Sequence, residues 1–148
     1  SASGPLTVTR TETGYVLDFP ARPSEPIPTP PGLAEALGVA PLEVVANIFN
    51  YLALLESPEA VRGLRPDMTE LLRVDRPGVI VTARGNECHD FISRYFAPAK
   101  GIPEDPVTGA AHSSSAVKRA IVRAASTVSR IARGAKSAVL AWPLRLPT

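Results

Sequence analysis

The sequence predicts one domain that mixes strands with short helices, in a layered fold of the α/β or α+β class. Three observations predict it. Alternating apolar and polar residues near the start indicate strands, helix-start residues recur at Ser57 and Asp67, and the β-branched run GVIVTA at 78–83 is typical of a core strand. With 148 residues, 45% of them apolar, the chain is long enough to bury a single core.

The first part of the chain is predicted to contain a hairpin, a proline-rich segment and a short helix. The runs 6–10 and 15–19 alternate around a Glu-Thr-Gly turn, which is typical of a β-hairpin. The segment 20–31 holds six prolines, so we expect a linker or surface segment rather than a helix or central strand. Residues 33–37 then form a short helix that Gly38 ends.

The middle of the chain alternates between strands and helices. We predict mainly strand over 44–55, which is apolar with mixed periodicity. Ser57 followed by Pro58 is a strong helix start, because serine caps the first turn and proline suits its first position. A second short helix is expected over 67–72, and a further strand over 90–96 follows the GVIVTA strand.

The most informative stretch is 93–112, SRYFAPAKGIPEDPVTGAAH. It begins as a strand, continues as an acidic turn stiffened by prolines, and ends in Gly109, Ala110 and Ala111, which are nearly bare of side chains. Bare backbone at a helix start can bind an anion, because the first N–H groups lack helical partners and lie at the positive end of the dipole. A simpler interpretation is that Asp105 caps this helix and Pro106 takes its first position.

Three segments carry a resemblance to a known family: TVTRTETGYVLDFPARP, the GVIVTA strand and FISRYFAPAKGIPEDPVTGAAH, whose EDPVTG core is specific. Together they resemble the second half of the phenazine-biosynthesis F-type (PhzF-like) isomerase family, which shares the diaminopimelate epimerase fold. The resemblance covers 3–112 and implies an α+β lobe, with a mixed sheet wrapped around a central helix. In the family two such lobes face each other across a cleft, and a proton is moved on a small carboxylic acid.

The resemblance also implies site residues. Asp105 matches the aspartate of the EDPVTG motif, which would hold or relay a proton, and Thr108, Gly109 and Ala110 would contact the substrate. The family often has serine where this chain has Ala110, so one hydroxyl contact is absent, at a typical cost of ~0.5–1.5 kcal/mol. Glu104 is expected to be a solvated charge or a partner of Arg94 rather than a second catalytic carboxylate.

Part of the family's catalytic machinery has no match in these residues. The resemblance implies that a glutamate from the first half acts as the base, without metal or organic cofactor. We find neither a GHAT-like motif nor a glutamate in that setting, and a base must lie within hydrogen-bond reach of its proton. We therefore expect an inactive half-site that takes a small carboxylic acid and needs an N-terminal lobe, or a second copy of the chain, as partner.

The tail 113–148 differs from the lobe 1–112. All 14 acidic residues lie at or before Asp105, whereas seven of the 16 basic residues follow it. We predict an Ala/Ser/Arg-rich helix in which Val117, Ile121 and Val139 belong to one apolar stripe. Genuine divergence, a deletion or a shifted reading frame would each produce such a tail.

The basic tail supports an alternative function, a non-catalytic remnant or an interaction protein that binds nucleic acid or an anionic membrane. We favour it less, because the tail lacks interleaved aromatic residues for base stacking. No apolar run approaches the ~20 residues of a membrane span, and the start of the sequence lacks an apolar signal segment.

Nucleophilic and metal chemistry are not expected. Cys88, His89 and Asp90 are adjacent, and neighbouring side chains of a strand point to opposite faces. His112 would lie ~10 Å along a helix from Asp105 at 1.5 Å per residue. One cysteine and two histidines without ligand spacing argue against a metal site, and a lone cysteine is compatible with a reducing compartment, so we expect a cytoplasmic protein.

Overall fold

The computed structural model describes residues 7–11, 14–20, 24–85, 91–106 and 137–143. The strands in these segments are β1 (Thr7–Thr11), β2 (Gly14–Pro20), β3 (Glu25–Ile27), β4 (Glu43–Ala46), β5 (Asn50–Leu54), β6 (Gly78–Arg84), β7 (Phe91–Ala97), β8 (Ile102–Asp105) and β9 (Ser137–Pro143). The helices are α1 (Leu33–Leu37), α2 (Pro58–Gly63) and α3 (Met68–Leu71), with a 3-10 helix at Pro98–Lys100.

A three-stranded sheet with the order β1-β2-β9 contains the two ends of the described chain. The predicted hairpin is confirmed, since β1 and β2 pair antiparallel from Thr7 opposite Asp18 to Thr11 opposite Gly14. Antiparallel to β2 runs β9, with Val139 opposite Asp18. The prediction that Val139 lies in a helix is therefore wrong, because pairing with a distant strand overrides local helix propensity. The rest of the predicted tail helix lies outside the described residues.

The larger sheet has six strands in the order β3-β4-β5-β6-β7-β8. Only β5 and β6 run parallel among these neighbours, and the connection between them carries α2 and α3, as a parallel pair requires a crossover. The proline-rich segment contributes β3, an edge strand, which is the position in a sheet that tolerates proline. The region 44–55 is strand, as predicted, but divided by a turn in which Asn47 Oδ1 accepts from the Phe49 and Asn50 N–H groups at 2.9 Å.

Local capping fixes the helix ends where the sequence predicted them. The Ser57 hydroxyl accepts from Ala60 N–H at 3.2 Å and starts α2. The Asp67 carboxylate accepts from Thr69 and Glu70 N–H groups and starts α3. Gly38 ends α1 at a φ of 70°, a left-handed conformation that glycine adopts without a steric penalty. These local hydrogen bonds explain why short helices form at predictable positions.

The core lies mainly between the six-stranded sheet and its helices. We call the surface of the sheet that packs against α1, α2 and α3 the helix face; its buried residues include Val79, Val81 and Phe96, in one cluster with Leu33, Leu37, Val61 and Leu71. The opposite face carries a second buried cluster that includes Leu52, Ile80 and Tyr95. Since side chains of a strand alternate between faces, each residue of β7 and β8 belongs to one of these two surfaces.

Candidate functional site

The predicted acidic turn is a strand. After β7 the chain reverses through the 3-10 helix, where Gly101 has a φ of 76° and its N–H donates to the Pro98 carbonyl at 2.9 Å. The residues from Ile102 to Asp105 then return along β7 as β8. The prediction that the acidic residues form the turn is therefore wrong, because the left-handed glycine makes the reversal four residues before Asp105.

Asp105 is the last residue of β8 and is partly buried. It lies directly opposite Tyr95, while Glu104 lies opposite Phe96. Because directly opposed residues share a face of the sheet, Asp105 is on the opposite face with Tyr95, and Glu104 is on the helix face with Phe96. The two adjacent carboxylates therefore lie on different faces of the sheet.

The other predicted site residues, Thr108, Gly109 and Ala110, lie outside the described residues, as do Cys88, His89 and His112. Their predicted roles stay predictions. What the structure does describe is the strand that leads into them and the residues that hold this strand in place.

Arg94 and Glu104 form a two-pronged ion pair on the helix face. Arg94 Nε donates to one carboxylate oxygen at 2.7 Å and Nη2 donates to the other at 2.8 Å. The expectation that Glu104 pairs with Arg94 is confirmed. Pairs with parallel N–H···O bonds are stronger and more directional than single contacts, so this pair joins β7 to β8 at one defined register.

The same guanidinium also caps α2, which the sequence analysis missed. Arg94 Nη1 donates to the carbonyls of Val61 and Leu64 at 3.0 and 2.8 Å, and its central carbon lies 4.9 Å from the centre of the Phe96 ring. The last carbonyls of a helix lack full helical bonding; the Val61 carbonyl accepts a long bond of 3.4 Å from the Leu64 N–H, and the guanidinium adds a closer donor. Alternation along β7 could have placed Arg94 and Phe96 on one face, but the sequence does not reveal which helix end that face meets.

The pKa values of the two partners move in opposite directions. The Arg94 hydrogen bonds lower the pKa of the Glu104 carboxyl, against the opposing effect of partial burial, and Coulomb attraction to Arg94 and Arg65 adds to the lowering. The same hydrogen bonds raise the pKa of Arg94. Both partners are therefore charged at neutral pH, and Glu104 is engaged in a structural pair rather than poised to exchange a proton.

A second polar group lies on the opposite face, next to the start of β8. Lys100 Nζ donates to the Tyr95 hydroxyl at 2.8 Å, and that hydroxyl donates to the buried Asn50 Oδ1 at 3.1 Å. Gly78 leaves the room for this contact, since a Cβ there would lie 2.7 Å from Tyr95 Cε2. Tyr95, which faces Asp105, is thus held at its far end by a side chain from β5.

A third cluster lies on the helix face and was also missed by sequence reasoning. The Tyr51 hydroxyl donates a hydrogen bond to the Asp75 carboxylate, and the Arg76 guanidinium stacks 5.6 Å from the centre of the Tyr51 ring. Burial, supported by the bond to Asp75, raises the pKa of Tyr51 above its ordinary value of 10.0. These residues connect β5 to the loop before β6.

Two general findings concern the described segments alone. They contain no group of three or more His, Cys, Asp and Glu side chains that could hold a metal ion. Nor does any of their helices have the length and apolar character needed to cross a membrane.

The fold and the edge strand define the class of the chain: an α+β domain with a mixed six-stranded sheet, helices on one face, and an acidic edge strand leading into an EDPVTG motif. The chain belongs to the PhzC-PhzF family of phenazine biosynthesis-like proteins, whose model matches residues 33–129. The match continues past His112, where the resemblance visible in the sequence ended. The division into 1–112 and 113–148 stays a prediction.

Similar proteins support the assignment over most of the chain. An uncharacterized isomerase of Pseudomonas aeruginosa is 51% identical over 114 residues, which are 77% of this chain and 43% of that protein. The human phenazine biosynthesis-like domain-containing protein is 32% identical over 128 residues, covering 74% of this chain and 44% of that protein. The chain therefore spans less than half the length of these two relatives.

Solved structures show the same fold. A PhzF-family protein of Enterococcus faecalis superposes with a TM-score of 0.71 at 41% identity, over 78% of this chain and 44% of that one. A putative phenazine biosynthesis PhzC/PhzF protein of Clostridium difficile gives a TM-score of 0.68 at 27% identity, over 90% of this chain and 51% of that one. The predicted family is thus confirmed, and so is a mixed α+β sheet of the kind these proteins share.

Proposed function

We propose that this chain is one lobe of a cofactor-independent isomerase of the PhzF type, which moves a proton on a small carboxylic acid. The observation that carries the proposal is the position of Asp105, at the end of an anchored edge strand and immediately before the PVTG segment. The 51% identity to a protein named as an isomerase supports the reaction class.

In this proposal the lobe supplies the substrate-binding half of the site. Asp105 faces the substrate and holds or relays the proton, while the backbone N–H groups of Thr108, Gly109 and Ala110 bind the substrate carboxylate. The general base is a glutamate from a lobe outside these 148 residues. The coverage of 43% of the P. aeruginosa relative supports a partner lobe of similar size, and a second copy of the chain is the alternative partner.

Binding of simple acids tests the substrate-binding half. We expect benzoate and cyclohexanecarboxylate to bind the chain in isothermal titration. Asp105→Ala should weaken benzoate binding about tenfold, because the Asp105 carboxyl, which holds the proton in this proposal, donates a hydrogen bond to the charged ligand. Gly109→Val should weaken it as well, because a branched side chain keeps the ligand away from the backbone. Asp67→Asn, which preserves a helix cap far along the chain, is the matched control.

The outcomes are separable. No heat of binding with the wild-type chain, or equal benzoate affinity in wild type, Asp105→Ala and Gly109→Val, would contradict the proposed site. A mass spectrum of the native gene product, with resequencing of the gene on both sides, tests the second lobe; a native product of these residues alone would remove catalysis from the proposal.

The interaction-protein alternative rests on the seven basic residues after Asp105. It predicts salt-sensitive binding of DNA or anionic vesicles that deletion of 113–136 abolishes. Absence of such binding by the intact chain at low salt would contradict it.

A further inference from the structure

Arg94 is the residue that ties the edge strand to the rest of the lobe. Its side chain is only 21% exposed, and it donates four hydrogen bonds, two to Glu104 on β8 and two to carbonyls at the end of α2. An arginine has five N–H donors, so nearly all of its bonding capacity serves to join β7, β8 and α2.

Two other ion pairs in the described segments, Arg62–Glu59 and Arg73–Glu70, differ in kind. Both are single contacts between residues three positions apart, and their arginines are 58% and 71% exposed, against 21% for Arg94. Such pairs contribute little to stability. Arg94 bonds to Glu104, ten positions away in the sequence, and to Leu64, 30 positions away. It therefore constrains the tertiary structure.

The edge strand needs such a constraint because its backbone pairing is irregular. The β7–β8 register shifts between Phe96 and Ala97, so that Phe96 is opposite Glu104 and Ala97 is opposite Ile102. Pro103 is the extra residue and has no N–H to donate. Backbone pairing alone therefore joins Glu104 and Asp105 to β7 through only the few residue pairs that lie beyond the bulge.

We infer that Arg94 is a positioning residue for Asp105. By holding Glu104 on the helix face, it fixes the twist of β8 at that point, and the next residue must then project from the opposite face beside Tyr95. A strand that slipped by one residue would exchange the two carboxylates between faces. This inference rests on the proposed function in so far as Asp105 is taken to face a substrate.

The test combines a structural readout with a binding readout in the 148-residue chain. The variants are Arg94→Gln, Arg94→Lys and Glu104→Gln, with Arg73→Gln as the matched control in the exposed pair with Glu70. Successive N–H groups of an edge strand alternate between its neighbour and the open edge, so amide hydrogen exchange is followed at the β8 residues whose N–H groups donate to β7. Leu52 and Val81 are the reference amides. Benzoate affinity is measured at a temperature at which every variant is fully folded.

For Arg94→Gln we expect at least tenfold faster exchange at the β8 amides that donate to β7, unchanged exchange at Leu52 and Val81, and at least tenfold weaker benzoate binding. Arg94→Lys, which keeps the charge but loses the two-pronged geometry, should be intermediate. The double variant Arg94→Gln/Glu104→Gln should bind benzoate no more weakly than Arg94→Gln, since the two residues act through one interaction. Arg73→Gln should match the wild type in both readouts.

The inference and the proposed function fail in different ways. If the wild type binds benzoate and folded Arg94→Gln changes neither exchange nor affinity, the positioning role is overturned. If the wild type does not bind benzoate but exchange at the β8 amides that donate to β7 rises tenfold in Arg94→Gln, the anchoring of β8 by Arg94 stands and the proposed function fails. Should Arg94→Gln not fold, Glu104→Gln decides by the same criteria, because it removes the ion pair and leaves the α2 contacts in place.

Discussion

Arg94 and Glu104 are joined by two parallel hydrogen bonds of 2.7 and 2.8 Å, between strands whose backbone register is broken by a bulge. Because of this ion pair, the neighbouring carboxylates of Glu104 and Asp105 have different surroundings. Glu104 pairs with Arg94 on the helix face, and Asp105 lies on the opposite face with Tyr95. The EDPVTG motif therefore contains one structural and one candidate functional acid.

The ion pair predicts a specific acid dependence of stability. The pKa of Glu104 is lower in the folded chain than in the unfolded one, so its contribution is present above the unfolded value near 4.5 and is lost as pH falls through the folded value. We expect wild type to exceed Glu104→Gln by about 1 kcal/mol in unfolding free energy at pH 7, with a difference that shrinks below pH ~4.5. Urea unfolding between pH 7 and pH 3 measures it.

Glu70→Gln is the control for that measurement, since it breaks the exposed single contact with Arg73. Its effect should stay below ~0.5 kcal/mol. A wild-type advantage over Glu104→Gln that does not change with pH would contradict the assignment.

Gly78 is predicted to tolerate no side chain. A Cβ at this position would overlap Asn50 Oδ1 and the Tyr95 hydroxyl, which belong to a buried hydrogen bond. Gly78→Ala should therefore destabilise the chain by about 1–3 kcal/mol, as overpacking does, as measured by thermal or urea unfolding. Gly63→Ala, where a Cβ meets nothing within 4 Å, should be neutral or slightly stabilising, and equal effects of the two substitutions would refute the packing argument.

The raised pKa of Tyr51 predicts that the stability of the chain falls at alkaline pH, whereas the Glu104 pair loses stability at acid pH. The pKa of Tyr51 is raised in the folded chain by burial and by the bond to Asp75, so its contribution is complete below the unfolded value near 10 and is lost as pH rises through the folded value. The stability of wild type relative to Tyr51→Phe should thus decline between pH 9 and 12, as followed by urea unfolding. Spectrophotometric titration should show a tyrosine that ionises at higher pH in the folded chain than in urea. The loss of this step in Tyr51→Phe would assign it to Tyr51. An identical titration in the variant would contradict the assignment.

Local elements could be predicted because their causes are local. Ser57 and Asp67 begin helices through bonds to N–H groups two or three residues away, and Gly38 ends α1 within one turn. Residues 78–83 form a strand because β-branched side chains suit a pleated, buried surface. The family could be predicted because the EDPVTG motif is short and specific.

By itself, the sequence determined the family, the local helix and strand starts, and the identity of the acid that ends β8. Only the tertiary structure decided that Val139 belongs to a strand paired with β2, that the chain reverses at Gly101, and that Arg94 reaches the end of α2. These outcomes depend on partners tens of residues distant, and no local pattern specifies which partner a strand or a guanidinium meets. Asp105 was therefore recognisable as a candidate from the motif, but its separation from Glu104 across the sheet followed only from the register of β7 and β8.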